Sequence, residues 1–244
     1  MIEIRHPHMD TGSDTQEAYN TIYDEQGIQH SDSFYLWLIS LLKPQPGRLI
    51  IDISTGQGRL VTLANQAGLK SIGTDFALSG VKIGRSNTPE AGWAIGDGER
   101  LPFEGKCADY ITHIGSLEHY QDPLAGMAEI TRLLKPSGKC VVLLPNTFGL
   151  IGNIKYALKT GEIFDDGQPL QRYNTLRGWQ TMLESSGLVT DRVVKYEREW
   201  PRTRKDLLWY LHRPMKILRL CAAFFIPVTL ANCLVYICHR SPSE

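Results

Sequence analysis

Three aspartates fall at the ends of three apolar runs in the first half of the sequence: Asp52 in LIIDIS, Asp75 closing LKSIGTD and Asp97 closing GWAIGD. Short apolar runs bounded by small and turn-forming residues read as strands of a parallel sheet buried on both faces, and ligands of such sheets sit at the carboxyl ends of the strands. A crevice lined by three carboxylates repels a pyrophosphate and draws in a ligand that carries hydroxyls and positive charge. The turn after the first run holds Ser54, Thr55, Gly56, Gln57 and Gly58, the small, glycine-bearing form of a ligand loop. Counted from Gly56, a dinucleotide fingerprint G-x-G-x-x-G reaches Val61 where its third glycine belongs, and no Gly-Lys-Ser or Gly-Lys-Thr follows to make a phosphate loop.

S-adenosylmethionine has the groups such acids would attract: ribose hydroxyls, an ammonium and a sulfonium. On that reading Asp75 takes both ribose hydroxyls and Asp97 is left for the adenine amine. The elements that must position these residues alternate. LIIDIS, LKSIGTD, GWAIGD, ADYITHI and KCVVLLP are strand candidates with helical segments between them, and LVTDRVVKYERE and CLVYICHR add two more. The alternation predicts an α/β fold with seven strands in a mostly parallel sheet covered on both faces. A buried helix is expected at 34–42, a helix at about 175–186 and an apolar helix around 206–226.

The motifs, in this order, resemble those of class I S-adenosylmethionine-dependent methyltransferases. DISTGQG is similar to the family's D-x-G-x-G-x-G loop, GTDF to its second-strand acid, GDGERLPF to its adenine segment and HIGSLEHYQDP to the end of its fourth strand. LAGMAEITRLLKPSGKCVVLLPN looks like the helix, turn and fifth strand of the ubiquinone and menaquinone biosynthesis type, so the likeness runs from about 48 to 146. The resemblance implies a Rossmann-like three-layer sandwich whose last strand is antiparallel. It implies S-adenosylmethionine as cofactor, held by Asp52, Ser54, Thr55, Gly56, Gly58, Asp75, Phe76, Asp97, Gly98, Gly115 and Ser116. The implied reaction is methyl transfer to a small-molecule acceptor, with oxygen the expected nucleophile. One departure stands out: the family's first loop glycine is Ser54 here. It is expected to adopt extended backbone, because only positive-φ positions demand glycine.

Lys plus Arg equals Asp plus Glu at 26 each, so no broad basic footprint favours a nucleic acid. Five cysteines without a C-x-x-C pair argue against a disulfide framework or a zinc site and fit a reducing cytoplasm. The start, MIEIRHPHMD, has no apolar segment behind a basic flank, so no secretory leader is expected. Leu220 to Cys238 runs without a charge for 19 residues. Pro227 and Asn232 within it favour an apolar helix and loop followed by a buried strand over a membrane span, with peripheral membrane contact as the alternative.

The whole chain, 1–244, is expected to form one methyltransferase domain. A lid and accessory helix occupy 1–45, the cofactor core 46–145, a substrate insertion 146–174, and helices with the last two strands 175–244. An apolar or lipid-linked acceptor is expected between the region of Tyr19 and Tyr23, the insertion, and the helix before the last strand, whose Trp209, Phe224 and Phe225 exceed what a solvated loop needs. His119 is the candidate catalytic base, with a packing role as its alternative; Glu118 shares that ambiguity. Asp165 and Asp166 read as a solvated turn and no metal is expected. The basic tract at 192–205 is interleaved with acids and reads as a solvated face. Two other functions stay open: a nicotinamide-dependent oxidoreductase, and a non-catalytic S-adenosylmethionine-binding protein, the latter motivated by Ser54. The sequence leaves the oligomeric state open.

Overall fold

In the computed structural model, residues 1–6, 12–25 and 27–241 are described. All seven expected runs enter one sheet: β2 (Leu49–Ile53), β3 (Lys70–Asp75), β4 (Gly92–Ile95), β5 (Ala108–Ile114), β6 (Leu134–Pro145), β8 (Leu188–Tyr196) and β9 (Cys233–Arg240). Their order is β4-β3-β2-β5-β6-β9-β8, and only β9 runs antiparallel to its neighbours. The expected α/β sandwich and antiparallel last strand are therefore present.

Period-two alternation sends each strand's side chains to two cores. Ile51, Ile53, Ile111, Val142 and Tyr236 pack with Met127 and Leu133 of α5 (Pro123–Leu133) and with Trp179 and Leu183 of α7 (Leu176–Ser185). Ile50, Val141, Leu143 and Val235 pack with Phe34 and Leu38 of α2 (Asp32–Leu41) and Leu60 and Ala64 of α3 (Arg59–Gln66). The fully buried Trp179 satisfies its indole N–H by donating to the Pro145 carbonyl at 2.8 Å, which joins α7 to the end of β6.

Two segments differ from expectation. The N-terminus, expected to belong to a lid and accessory helix, begins as β1 (Ile2–Arg5), which pairs antiparallel with β7 (Leu170–Tyr173) inside the segment expected to be a substrate insertion. Four alternating residues, IEIR, give no apolar run, and the partner lies far along the chain, so periodicity alone could not find this pair. Between them in sequence lie α1 (Gly12–Glu25), which packs on α4 (Leu78–Asn87), and, within the insertion, α6 (Lys155–Thr160). The single helix expected at 206–226 is two: α8 (Arg204–Leu211) and α9 (Pro214–Ala223), separated at Pro214, which starts a helix well and continues one badly. The charge-free run 220–238 becomes the end of α9, a 3₁₀ turn at Val228–Leu230 and β9. Among the described residues no helix is long and apolar enough to cross a membrane.

The turn after β2 is fixed from behind by Trp93 of β4. A Cβ on Gly73 would stand 2.8 Å from its ring, and one on Gly58 or Gly84 would overlap it. Three glycines from α4, β3 and the N-cap of α3 thus make a slot for one indole, whose N–H donates to the Thr88 carbonyl at 2.9 Å. Gly58 is also left-handed, with φ +74°. Gly58→Ala should lower stability by about 1–3 kcal/mol, the scale for overpacking, as read by urea unfolding. Adding Trp93→Leu should recover part of that loss, so that the two changes are not additive. Simple additivity would mean that the slot does not constrain the loop.

Candidate active site

The acids at the strand ends are used first to lace the strands together. Asp52, buried at the end of β2, accepts the Thr55 hydroxyl on one oxygen and the Thr112 hydroxyl of β5 on the other, both at 2.6 Å. Asp75, buried at the end of β3, accepts the backbone N–H of Gly56 at 2.7 Å and of Ala77 at 2.8 Å. Burial pushes the Asp52 carboxyl up to about 6, with the two threonine hydrogen bonds pulling the other way. Burial likewise raises Asp75, against the opposing pull of the N–H groups of Ala77, Gly56 and Phe76. Each carboxylate oxygen keeps a second lone pair, so Asp75 can still accept from ligand hydroxyls.

Ser54 does not take the extended conformation expected for it; its φ is +55°, in the region that favours glycine. A compensating contact offsets that strain, because Ser54 Oγ lies 2.8 Å from the Tyr120 hydroxyl. The same hydroxyl lies 2.9 Å from Nε2 of His113, whose Nδ1 faces Ser116 Oγ at 3.3 Å. Burial pushes His113 down to about 3, so the ring is neutral and its one N–H serves one of these two partners. Tyr120 fits because Gly98 and Gly126 carry no Cβ: one on Gly126 would lie 2.6 Å from the ring, and one on Gly98 would overlap the hydroxyl. Sequence reasoning missed both His113 and Tyr120. The signal was a histidine inside ADYITHI and a tyrosine directly after His119, neither at a spacing that marks chemistry.

A cavity of about 310 Å³ opens above these strand ends. Asp52, Ser54, Thr55, Gly56, Asp75, Phe76, Asp97, Gly98, Gly115, Ser116 and His119 all line it. Gly58, also expected to contact the cofactor, is not in the lining; its requirement for glycine comes from Trp93 and its left-handed backbone. Among the described residues, four carboxylates, Asp52, Asp75, Asp97 and Glu99, belong to the lining and no Lys or Arg does. Those acceptors suit ribose hydroxyls and a cation and would repel a pyrophosphate.

Helix α1 closes the cavity from above. Tyr23 packs over Gly56, Gln16 donates to the Phe76 carbonyl at 2.7 Å, and Tyr19 donates to Gln168 of the insertion at 2.6 Å. The lid therefore covers the acid-lined end as well as the end expected for the acceptor. The third expected wall is absent: Trp209, Phe224 and Phe225 do not line this cavity, and neither do Phe148 or Phe164 of the insertion. They face outward, with Phe225 83% exposed.

His119 is oriented by β7. Its Nδ1 lies 2.5 Å from the Leu170 carbonyl of β7. A carbonyl can only accept, so Nδ1 carries the proton and Nε2 keeps a lone pair. Burial holds the ring below the usual histidine range, neutral at pH 7, while Glu118, 4.0 Å from Nε2, is pushed by burial up to about 8 and so carries its proton. Glu118 Oε2 is buried without a hydrogen-bond partner. Arg172 of β7 anchors this end: it pairs with Glu3 of β1 at 2.7 Å and donates to the carbonyls of Tyr120 and Gln121. Asp165 and Asp166 accept the backbone N–H groups of Gly167 and Gln168, a turn as expected.

Residues 51–142 match a protein family described as a methyltransferase domain. A demethylmenaquinone methyltransferase of Renibacterium salmoninarum is 27% identical over 129 residues, 53% of this chain and 54% of that protein. A ubiquinone/menaquinone biosynthesis C-methyltransferase of Caulobacter vibrioides is 34% identical over 116 residues, 42% of this chain and 46% of that protein. The matched part thus spans about half the length of these relatives. Among solved structures, Haemonchus contortus phosphoethanolamine N-methyltransferase 2 in complex with S-adenosyl-L-methionine superposes with a TM-score of 0.62 at 16% identity, covering 92% of this chain and 60% of that one, a likeness of fold.

The desolvated Asp52 carries a pH signature. Its folded-state pKa of about 6 lies above that of an unfolded aspartate, so its contribution to stability is complete below about pH 4 and is lost as pH rises through about 6. The stability of Asp52→Asn relative to wild type should therefore grow between about pH 4 and 7, by up to about 3 kcal/mol, and level off above, in urea melts taken across that range. A difference that does not change with pH would show that the carboxyl is not desolvated.

Proposed function

We propose that this chain, an S-adenosylmethionine-dependent methyltransferase whose residues 51–142 match a methyltransferase domain family, transfers a methyl group to an apolar, hydroxyl-bearing small molecule. The observation that carries the reading is the lining of the cavity: four carboxylates, no Lys or Arg, and an aromatic lid over the strand ends. When bound, S-adenosylmethionine supplies an electrophilic methyl on a sulfonium. Asp75 would accept the ribose hydroxyls, Phe76 and the segment Asp97–Gly98 would face the adenine, and the loop Ser54–Gly56 with Gly115 and Ser116 would hold the methionine end. The lid of α1, with Tyr19 and Tyr23, excludes water from the same space.

His119 presents the unprotonated Nε2 required of a proton acceptor, and the Leu170 carbonyl keeps it in that tautomer. Removing the proton of an aromatic hydroxyl makes both the oxygen and the ring carbon ortho to it nucleophilic, so one base serves either outcome; S-adenosylhomocysteine leaves in both, and transfer to carbon then breaks the ring C–H bond, its proton returning to the hydroxyl oxygen as the aromatic ring re-forms. The sequence-based expectation was oxygen. A relative named as a C-methyltransferase favours carbon, and we place the methyl there. The nicotinamide alternative lacks any cationic side chain in the lining to meet a pyrophosphate. The motive for a non-catalytic reading weakens as well, because Ser54 directs its hydroxyl to Tyr120. Five unpaired cysteines support a reducing, cytoplasmic compartment, and an apolar acceptor supports a peripheral position at a membrane.

Calorimetric titration should give micromolar binding of S-adenosylhomocysteine and no specific NADH signal. Asp75→Ala should weaken the former by about 2 kcal/mol, the scale of charge-assisted hydrogen bonds. An unaltered dissociation constant would remove Asp75 from the site. His119→Ala should lower kcat roughly 100-fold with cofactor affinity kept, and should abolish the acid limb of the pH profile, which in the wild type lies below the usual histidine pKa. A loss under about threefold would assign His119 to packing. Carbon-13 NMR of the methylated product separates ring carbon from oxygen; an O-methyl signal would overturn the carbon assignment.

A further inference from the structure

Helices α8 and α9 do not line the cavity, yet Leu207, Leu208, Leu211, Met215 and Leu218 on them are exposed. On α9 and the turn after it, Met215, Leu218, Ala222 and Phe225 recur at spacings of three and four, and all are exposed, Met215 by 66%, Leu218 by 61% and Phe225 by 83%. Buried Leu220 and Ala223 hold the opposite face of the helix against the protein. Leu207, Leu208 and Leu211 continue the exposed apolar surface on α8. The turn that projects Phe224 and Phe225 is fixed: Lys195 Nζ donates to the carbonyls of Ala223, Phe224 and Ile226 at 2.6–2.9 Å, a cation capping the C-terminus of a helix.

The same segment is basic. Residues 198–219 contain seven Lys or Arg against two acids, in a chain whose net charge is zero. Both acids are turned inward: Asp206 is buried and accepts the N–H and hydroxyl of Ser33, and Glu199 accepts the hydroxyls of Ser31 and Tyr196. This segment overlaps the end of the tract at 192–205 that reads as a solvated face, and its exposed charges are cationic in the fold. Trp209 lies under the Arg213 guanidinium, 4.5 Å from its centroid, the amphipathic pairing found at water–lipid boundaries.

We infer that α8 and α9 are a docking surface for an anionic phospholipid bilayer, with the stripe of α9 entering the acyl boundary and the flanking cations meeting the headgroups. Charge selects this occupant. A second copy docked through the same face would oppose cation to cation, whereas an anionic lipid surface complements both the stripe and its rim. The surface is tied to the cavity mouth, since Ser31 and Ser33, which hold Glu199 and Asp206, belong to the segment whose Ile28, His30 and Tyr35 line the cavity. The inference goes beyond methyl transfer and is read by binding alone.

Cosedimentation with vesicles of phosphatidylcholine containing about 30% phosphatidylglycerol tests it. Wild-type protein should pellet with these vesicles, bind pure phosphatidylcholine at least tenfold more weakly, and release as salt rises. The double variant Leu218→Glu, Phe225→Glu changes two exposed positions outside the cavity, so its thermal melt and S-adenosylhomocysteine titration should match wild type while vesicle affinity drops at least tenfold. Wild-type protein remaining in the supernatant, equal binding to neutral vesicles, vesicle binding untouched in the double variant, or a stable dimer without vesicle binding would each overturn the proposal.

Discussion

The burial of carboxylates at the carboxyl ends of parallel strands is the constraint on which this fold's function rests. A buried carboxylate without partners is costly, so each acid recruits donors from the neighbouring chain. Asp52 takes the hydroxyls of Thr55 and Thr112, and Asp75 takes the N–H groups of Gly56 and Ala77. These bonds cross from β2 to β5 and from β3 to the β2 loop. The groups that give the cavity its negative character are also the ones that fix the loop around it.

A second set of polar contacts couples the lid to the chemistry. Arg172, nearly inaccessible on β7, joins Glu3 of the N-terminal strand to the carbonyls of Tyr120 and Gln121 after β5. Two residues earlier on the same strand, the Leu170 carbonyl sets the tautomer of His119. The first residues of the chain therefore act on the proposed base through a strand pairing and one carbonyl. The opposite wall uses neutral hydroxyls and rings instead, with Ser54, Tyr120 and His113 sharing hydrogen bonds in space vacated by Gly98 and Gly126.

The molecule also separates its two kinds of charge. Carboxylates gather at the cavity, where Asp52 and Asp75 are buried, while the cations of 198–219 gather on an apolar-striped outer surface whose two acids are turned inward. A net charge of zero conceals this division.

Local pattern determined the sheet. Seven apolar runs with period-two alternation, separated by helix-length segments, specify strands that can only be buried between helices, and the acids and small residues at their ends mark the ligand side. The loop at 52–58, the second-strand acid at Asp75 and the segment at 97–98 were legible for the same reason, because each lies within a few residues of the strand that positions it. Contacts between residues far apart in sequence were decided only by the tertiary structure. The β1–β7 pair and the partner of His119 at Leu170 had no local signature. Ser54 shows the limit most clearly. A serine in place of a loop glycine suggests relaxed, extended backbone, yet its φ of +55° is held by a hydroxyl 66 positions away. The cations at 198–219, which overlap only the end of the tract at 192–205 read as a solvated face, show the same dependence: burying Asp206, drawing Glu199 into hydrogen bonds with Ser31 and Tyr196, and splitting one apolar run at Pro214 leave a cationic, apolar surface. Periodicity reports which face of an element is buried; what that face meets depends on chain closure over distances that a sequence window does not span.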